Sequence, residues 1–310
     1  MSRHFVPAGP LEGMEATVAA GHSNALVTAS YAPDFERCRL LCETIDRHVT
    51  GFGRHYILVE SRDVALFRQL ENARRIVVDE RDLLPSWLRP FDDPTSGGRR
   101  RVWLSWRSAP LRGWHVQQLR RIGIAAHIGE DALVFCDSDV AFLKAFDCAA
   151  FWRDGKLRLL RRDGALARLQ AGDHAVWSRN AGFVLGIDPA QQSAHDYIST
   201  VIAWKRSTVI DMCRRIEAVR GTGWAAAIAA RRKFSECLIY GRYVDEVIGG
   251  EGHFASPTEF CRVHWTGGAM DDGEFRAFVS GMAPEQVAIG MQSFIGTDLE
   301  RIRRLIGESA

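Results

Sequence analysis

No stretch of this 310-residue sequence approaches 18 apolar residues in a row, so nothing in it reads as a membrane-spanning helix. The N-terminus lacks a basic start followed by an apolar core, which removes the case for a secretory signal. A cytoplasmic location is the default that follows, and a peripheral membrane contact stays open. The seven cysteines form no CxxC pair and show no zinc-site spacing. An odd number set mostly among apolar neighbours reads as buried free thiols in a reducing compartment. Excess charge is also missing, since the formal net charge of +2 argues against wholesale nucleic-acid binding. The basic clusters Arg99-Arg100-Arg101, Arg161-Arg162 and Arg231-Arg232-Lys233 read as solvated faces, with phosphate binding the alternative for each. No GxxxxGK[ST] loop and no GxSxG elbow occur, which sets aside P-loop phosphotransfer and α/β-hydrolase chemistry. Gly221-Thr222-Gly223 imitates a dinucleotide fingerprint, but no strand precedes it and a helix boundary explains it better. Internal repeats and low-complexity segments are absent as well.

What is present is a chain long enough to bury a large core, as one sizeable domain or two intimate ones. Residues 1–23 have no periodicity and read as a loose leader. The next hundred residues alternate. A buried strand is predicted at 24–30, then a helix over 35–49 with Asp34 as its N-cap and Phe35, Cys38, Leu41, Cys42 and Ile45 on one face. Strands at 55–60 and 75–79 flank a short helix at 63–70. This order predicts a parallel sheet with right-handed crossovers. Residues 83–108 are rich in Trp, Pro, Gly and Arg, with 94–98 expected to be mobile. A helix over 113–126 follows. Further on, 156–162 and 182–187 read as strands, and 189–219 and 224–243 as helices. An amphipathic helix at 296–307 should pack on the outside.

The most informative run is Ala132-Leu133-Val134-Phe135-Cys136-Asp137-Ser138-Asp139-Val140. It reads as a buried strand that ends in two carboxylates one residue apart. Two acids at such an edge are costly unless something offsets their charge. In an open α/β sheet that edge is also where ligands bind. A hard divalent cation carrying a diphosphate would compensate, because Mg²⁺ and Mn²⁺ favour carboxylate, water and phosphate oxygens.

This strand-DxD pattern resembles the metal and nucleotide-sugar motif of the GT-A glycosyltransferases. The order of elements before it is the GT-A layout too. Trp114-His115-Val116-Gln117-Gln118-Leu119, Ser235-Glu236 with Tyr240-Gly241, and Cys261-Arg262-Val263-His264-Trp265 resemble a bacterial GT-A-like family known only as a domain of unknown function. The resemblance runs from about Asn24 to Trp265. It implies a GT-A-like, Rossmann-like α/β fold: a mostly parallel sheet flanked by helices, with an acceptor-side extension. Residues 24–150 would be the nucleotide-binding half, and 151–310 the acceptor-side half and C-terminal helix of one integrated domain. The implied activity is metal-dependent transfer of a sugar from a UDP- or GDP-sugar to a hydroxyl of a glycan or other acceptor, in a context such as surface polysaccharide synthesis.

On that resemblance Asp137, Asp139 and His264 would organise Mn²⁺ or Mg²⁺, with Asp137 also able to meet the ribose. Thr28, Ser30 and Tyr31 would line the nucleobase and ribose pocket. Asp63 could accept a base or ribose hydrogen bond, or cap the helix that starts there. Gln117 and Asn180 would orient the donor sugar, Asn180 from an Asn-x-Gly turn in which Gly182 permits close backbone approach. Adjacent helical residues point about 100° apart, so only one of Gln117 and Gln118 is expected to face the site. Glu236 is the candidate base for an inverting reaction, with Asp245 in reserve. Trp103, Trp106 and Trp265 are candidate sugar-stacking platforms.

Two rivals remain. In a haloacid-dehalogenase-like phosphatase Asp137 would be the nucleophile, although that motif normally opens the fold and here three predicted strands precede it. The later pair Asp271-Asp272 reads as a loop. The second rival is a non-catalytic nucleotide- or glycan-binding module.

Overall fold

The computed structural model describes residues 21–96, 100–167, 172–187, 192–292, 295 and 298–309. The expected leader therefore lies almost wholly outside the described residues, as do 97–98 of the expected mobile loop. The chain opens with β1 (Asn24–Ala29), α1 (Phe35–His48), β2 (Arg54–Val59) and β3 (Arg75–Asp79). After a small antiparallel excursion, α2 (Gly113–Gly123) leads into β4 (Ala132–Cys136) and β5 (Val140–Phe142). The second half supplies β6 (Lys156–Leu160), α3 (Asp173–Leu185), β7 (Val201–Lys205), α4 (Arg206–Arg220), α5 (Trp224–Ala229) and α6 (Glu236–Arg242). It closes with β8 (His253–Ser256), β9 (Cys261–His264), α7 (Asp272–Ser280), β10 (Ala288–Met291) and α8 (Leu299–Ser309).

The central sheet has the order β7-β4-β1-β2-β3. Strands β4, β1, β2 and β3 are parallel, and β7 runs antiparallel along the β4 edge. This is the expected mostly parallel α/β architecture. Both faces are covered, as such sheets require. Ala25, Val27 and Ala29 of β1 face Val116, Leu119 and Ile122 of α2, and Val209, Met212 and Ile216 of α4 join the same core. On the other face Leu26 meets Leu41 and Ile45 of α1. A second sheet, β9-β10-β5, packs beyond α1. Its Ile289 and Met291 bury Ile302, Leu305 and Ile306 of α8, so the C-terminal helix docks its apolar stripe as expected.

The chain passes from β1 outward to β2 and β3, then returns to place β4 on the other side of β1. The strand order therefore reverses between β1 and β4, and a crevice opens beyond the carboxyl ends of that pair. The DxD turn stands there.

Four expectations are corrected. The expected helix over 224–243 is two helices, α5 and α6, with the non-helical segment 230–235 between them. Of the expected strand at 182–187, residues 182–185 are helical, in α3, and 186–187 form the turn after it. Ala181 to Leu185 is buried on nearly every side, and a short apolar run carries no period that separates helix from strand. Gly186, at φ 70°, ends that helix in the left-handed region. The expected helix over 189–219 contains β7 instead, whose β-branched Val201 and Ile202 pair with β4 before α4 begins. Asp34 occupies the N-cap position of α1, but its side chain makes no capping hydrogen bond.

Candidate functional site

The crevice is a cleft of about 710 Å³. Its floor is the turn Asp137-Ser138-Asp139. One wall is the loop after β1, with Ser30, Tyr31 and Asp34, and another is α2, with Trp114, Gln117, Gln118 and Arg121. Ser235 and Glu236 at the start of α6 close the far side, and Trp265 and Gln292 line it from the second sheet's end.

The turn is held from three directions. The Val140 N–H donates to the Asp137 carbonyl at 3.1 Å, the Asp137 N–H to the Thr200 carbonyl at 3.3 Å, and the Met291 N–H to the Asp139 carbonyl at 3.0 Å. Backbone bonds to both sheets therefore set where the two carboxylates point, leaving the side chains for chemistry.

Arg121 is the cation of the floor. Its guanidinium lies over the Phe135 ring at 4.5 Å and near the Trp204 ring at 5.7 Å. From there Nη1 reaches Asp137 Oδ1 at 3.4 Å and Glu236 Oε1 at 3.2 Å. Glu236 is placed by its own backbone: Ser235 Oγ caps α6 by accepting from the Leu238 N–H, and the Glu236 N–H donates to Gln118 Oε1 at 3.0 Å. The Gln118 amide in turn donates to the Trp114 carbonyl at 3.3 Å.

One arginine shared by two acids leaves negative charge uncompensated. Burial lifts the Asp137 carboxyl to about 6, against the pull of Arg121 and with a push from Glu236. Burial, then Asp137 and Asp34, lift Asp139 to about 7, while Arg37 acts the other way. Asp139 Oδ1 is buried and accepts no hydrogen bond among the described residues. Two hard carboxylates with an unsatisfied oxygen suit Mg²⁺ or Mn²⁺, which complete their shells with water and phosphate oxygens. Among the described residues, no three His, Cys, Asp or Glu side chains converge to hold a metal. The protein's offer is thus the two aspartates.

His264 does not join them. Its Nε2 faces the Gly268 carbonyl at 3.1 Å, so that nitrogen carries the proton and donates, and the ring packs edge-on against Phe278. The expected three-residue ligand set is not assembled; the next residue, Trp265, is the one that lines the cleft.

Other candidates also divide. Ser30, Tyr31 and Gln117 line the cleft as expected, and Gln118 does so beside Gln117 rather than turning away. Thr28 is buried inside β1, on the face that Leu26 presents to α1 and short of the strand end where the cleft opens, and its Oγ1 is 3.0 Å from His55 Nε2. Arg75 Nε donates to His55 Nδ1 at 3.1 Å, so the other ring nitrogen carries the proton and Thr28 accepts it. Asp63 neither caps its helix nor lines the cleft; its Oδ2 accepts from the Ala32 N–H at 2.8 Å and so fixes the loop that carries Tyr31. Asn180 sits within α3, not on a turn, and donates to the Lys233 carbonyl away from the cleft. Gly182 does serve a close approach, but of Arg242 rather than a ligand: a Cβ there would lie 2.5 Å from its Nη1. Asp245 is bonded to Arg161 at 3.2 Å and to the Tyr197 hydroxyl at 2.7 Å, in a separate concavity. Trp103 is fully buried and Trp106 lies outside the cleft, so of the three stacking candidates only Trp265 lines it. Asp271 caps α7 in a capping box with Glu274, and Asp272 pairs with Arg304 at 2.7 Å.

A family model described as "Family of unknown function (DUF6492)" matches residues 22–281. The chain belongs to that family. No curated protein sequence matches the chain. Among solved structures it is similar to an active-site mutant of LgtC, at 12% identity and a TM-score of 0.47, over 92% of this chain and 95% of that one. It is similar also to galactosyltransferase LgtC in complex with donor and acceptor sugar analogues, at 11% identity and a TM-score of 0.43, with the same coverage.

Sequence reasoning missed most of the arginines and read Arg100 and Arg101 chiefly as a solvated face. Six of them, Arg62, Arg100, Arg101, Arg112, Arg120 and Arg121, line the cleft. For Arg121 a signal existed: it lies one helical turn beyond Gln117, on the face of α2 already assigned to the site. Trp114 and Trp177, with ring centroids 5.3 Å apart, were missed as lining residues too.

Proposed function

We propose that this protein is a glycosyltransferase that moves a sugar from a nucleoside diphosphate sugar to a hydroxyl acceptor, with Mn²⁺ or Mg²⁺ held by Asp137 and Asp139. The observation that carries the reading is the pair of raised, under-compensated carboxylates at the β1/β4 switch point, on the floor of an arginine-lined cleft. A bound cation would supply Lewis-acid stabilisation of the departing diphosphate. The chain's own residues do the rest. Ser30 and Tyr31 hold the nucleoside beside β1, and the arginines on the wall bind phosphate oxygens. Gln117 donates to the donor sugar, and the faces of Trp114 and Trp265 stack on sugar rings. Glu236, held at Oε1 by Arg121, accepts the proton of the acceptor hydroxyl if configuration inverts. The surface-polysaccharide setting is part of this reading and rests on the motif resemblance alone.

Calorimetric titration of UDP and GDP into the protein, with Mn²⁺ and then with EDTA, tests the reading. Expected is metal-dependent binding that is lost in Asp139→Ala while folding is retained. Failure of both nucleotides to bind would overturn it, and phosphate release from a generic phosphomonoester would then favour the phosphatase chemistry of Asp137.

A further inference from the structure

The antiparallel excursion between β3 and α2 has two unlike faces. Its strands are Arg89–Asp92, Arg101–Leu104 and Leu111–Arg112, with Pro90 opposite Trp103 and Trp103 opposite Leu111. Directly opposed residues put their side chains on the same side of a sheet. That row faces inward: Trp103 and Leu111 are buried in the main core. Alternation then forces the next row outward. It contains Phe91 opposite Val102 and Val102 opposite Arg112, with Arg89 opposite Leu104 on the same side. Phe91 is 48% exposed, Leu104 39%, and Trp106, on the bend that follows, 78%. A sheet face thus shows solvent a contiguous apolar strip, framed by the exposed side chains of Arg89, Arg107 and Arg112.

Charge decides the occupant. Three exposed arginines, Arg89, Arg107 and Arg112, frame the strip, whereas the whole chain is nearly neutral. Asp92 is already engaged by Arg62 at 3.4 Å and Arg101 at 3.5 Å. A face so positive repels a second copy of itself. It complements an anionic surface that also accepts hydrocarbon. Trp at the boundary between headgroups and acyl chains, with Arg reaching out to lipid phosphates, is the arrangement that membrane interfaces favour.

We propose that this face docks the protein on an anionic lipid bilayer, with Phe91, Leu104 and Trp106 entering the headgroup boundary and Arg89 and Arg107 binding lipid phosphates. Asp93, Arg100 and Arg112 of the same excursion line the cleft. Docking would therefore hold the cleft's mouth beside the bilayer. If the glycosyltransferase reading is right, the acceptor class it would serve is a hydroxyl presented at a membrane surface.

Vesicle flotation tests the docking without any appeal to transfer activity. The intact protein is floated with vesicles of phosphatidylglycerol and phosphatidylcholine, and with phosphatidylcholine alone, with and without added salt. Expected is binding to the anionic vesicles that weakens with salt, and that falls about tenfold or more in Trp106→Ala with Leu104→Ser, and separately in Arg89→Glu with Arg107→Glu. Circular dichroism and nucleotide titration should match the parent, since none of these four residues lines the cleft. Absence of binding, equal binding to neutral vesicles, or binding that survives both double variants would overturn the proposal. So would a dimer seen by sedimentation that Trp106→Ala dissolves while vesicle binding is absent.

Discussion

Arg121 Nη1 lies 3.2 Å from Glu236 Oε1, and the two side chains are 8% and 6% exposed. A buried pair of this kind adds little net stability, because desolvation offsets much of the attraction, but losing one partner strands the other. Arg121→Met would leave Glu236 and Asp137 without their shared cation. Unfolding in denaturant should show a loss of about 3–5 kcal/mol. Adding Glu236→Leu to that variant should recover much of the loss. A single variant as stable as the parent would mean that the pair is screened by solvent.

Glu236→Gln keeps the shape of the side chain and its hydrogen-bonding reach, and removes the proton acceptor. In an inverting reaction turnover should fall by roughly 10²–10⁴, the range for loss of a general base. Metal-dependent nucleotide affinity should be unchanged. A fall in affinity with turnover intact would move Glu236 from proton transfer to donor binding.

Glu80 gives a pH dependence separate from the acidic turn. It is buried beneath the cleft wall, neither carboxylate oxygen has a hydrogen-bond partner among the described residues, and it is pushed up to about 7. Burial is the chief cause; Arg120 and Arg101 pull it down and Glu60 pushes it up. The folded state thus holds this proton more tightly than the unfolded chain, whose carboxyl titrates near the ordinary 4.5. The contribution to stability is full below about pH 4.5 and is lost as pH rises through about 7. Thermal melts across that window should show Glu80→Gln gaining on the parent as pH rises. A constant difference between the two would refute the assignment.

Gly241 lies where α6 crosses Tyr197, and a Cβ there would sit 2.1 Å from the ring's Cγ. The ring cannot yield easily, because its hydroxyl is bonded to Asp245 at 2.7 Å. Gly241→Ala should lower stability by about 1–3 kcal/mol through overpacking, read from the denaturation midpoint.

Thr28→Val tests the reassignment of that residue to the interior. The hydroxyl that accepts from His55 disappears, leaving a buried donor unpaired at about 1–3 kcal/mol. Nucleotide affinity should not change; a marked drop would return Thr28 to the binding site.

The parallel sheet was legible because β1, β2, β3 and β4 are short apolar runs separated by an amphipathic helix or by turns, and such runs carry their own signal. The position of Asp137 and Asp139 was legible for the same reason, since a buried strand that stops at two acids has few explanations. Strand β7 was not. Val201, Ile202 and Trp204 could belong to a helix until β4 offers an open edge, and only pairing with that edge resolves the ambiguity. Asn180 was misplaced because the apolar run after Gly182 reads equally as a strand.

Residue type and local order, then, determined the fold class, the acidic turn and the side of the sheet on which a ligand would lie. Contacts between segments far apart in the chain decided the rest. Arg121 meets Glu236 across 115 positions because α2 and α6 pack on one core, and no local pattern encodes that meeting. His264 points to Gly268 rather than to the aspartates because the loop after β9 closes back on it. Spacing along a chain constrains distance only within one element; between elements, packing sets it.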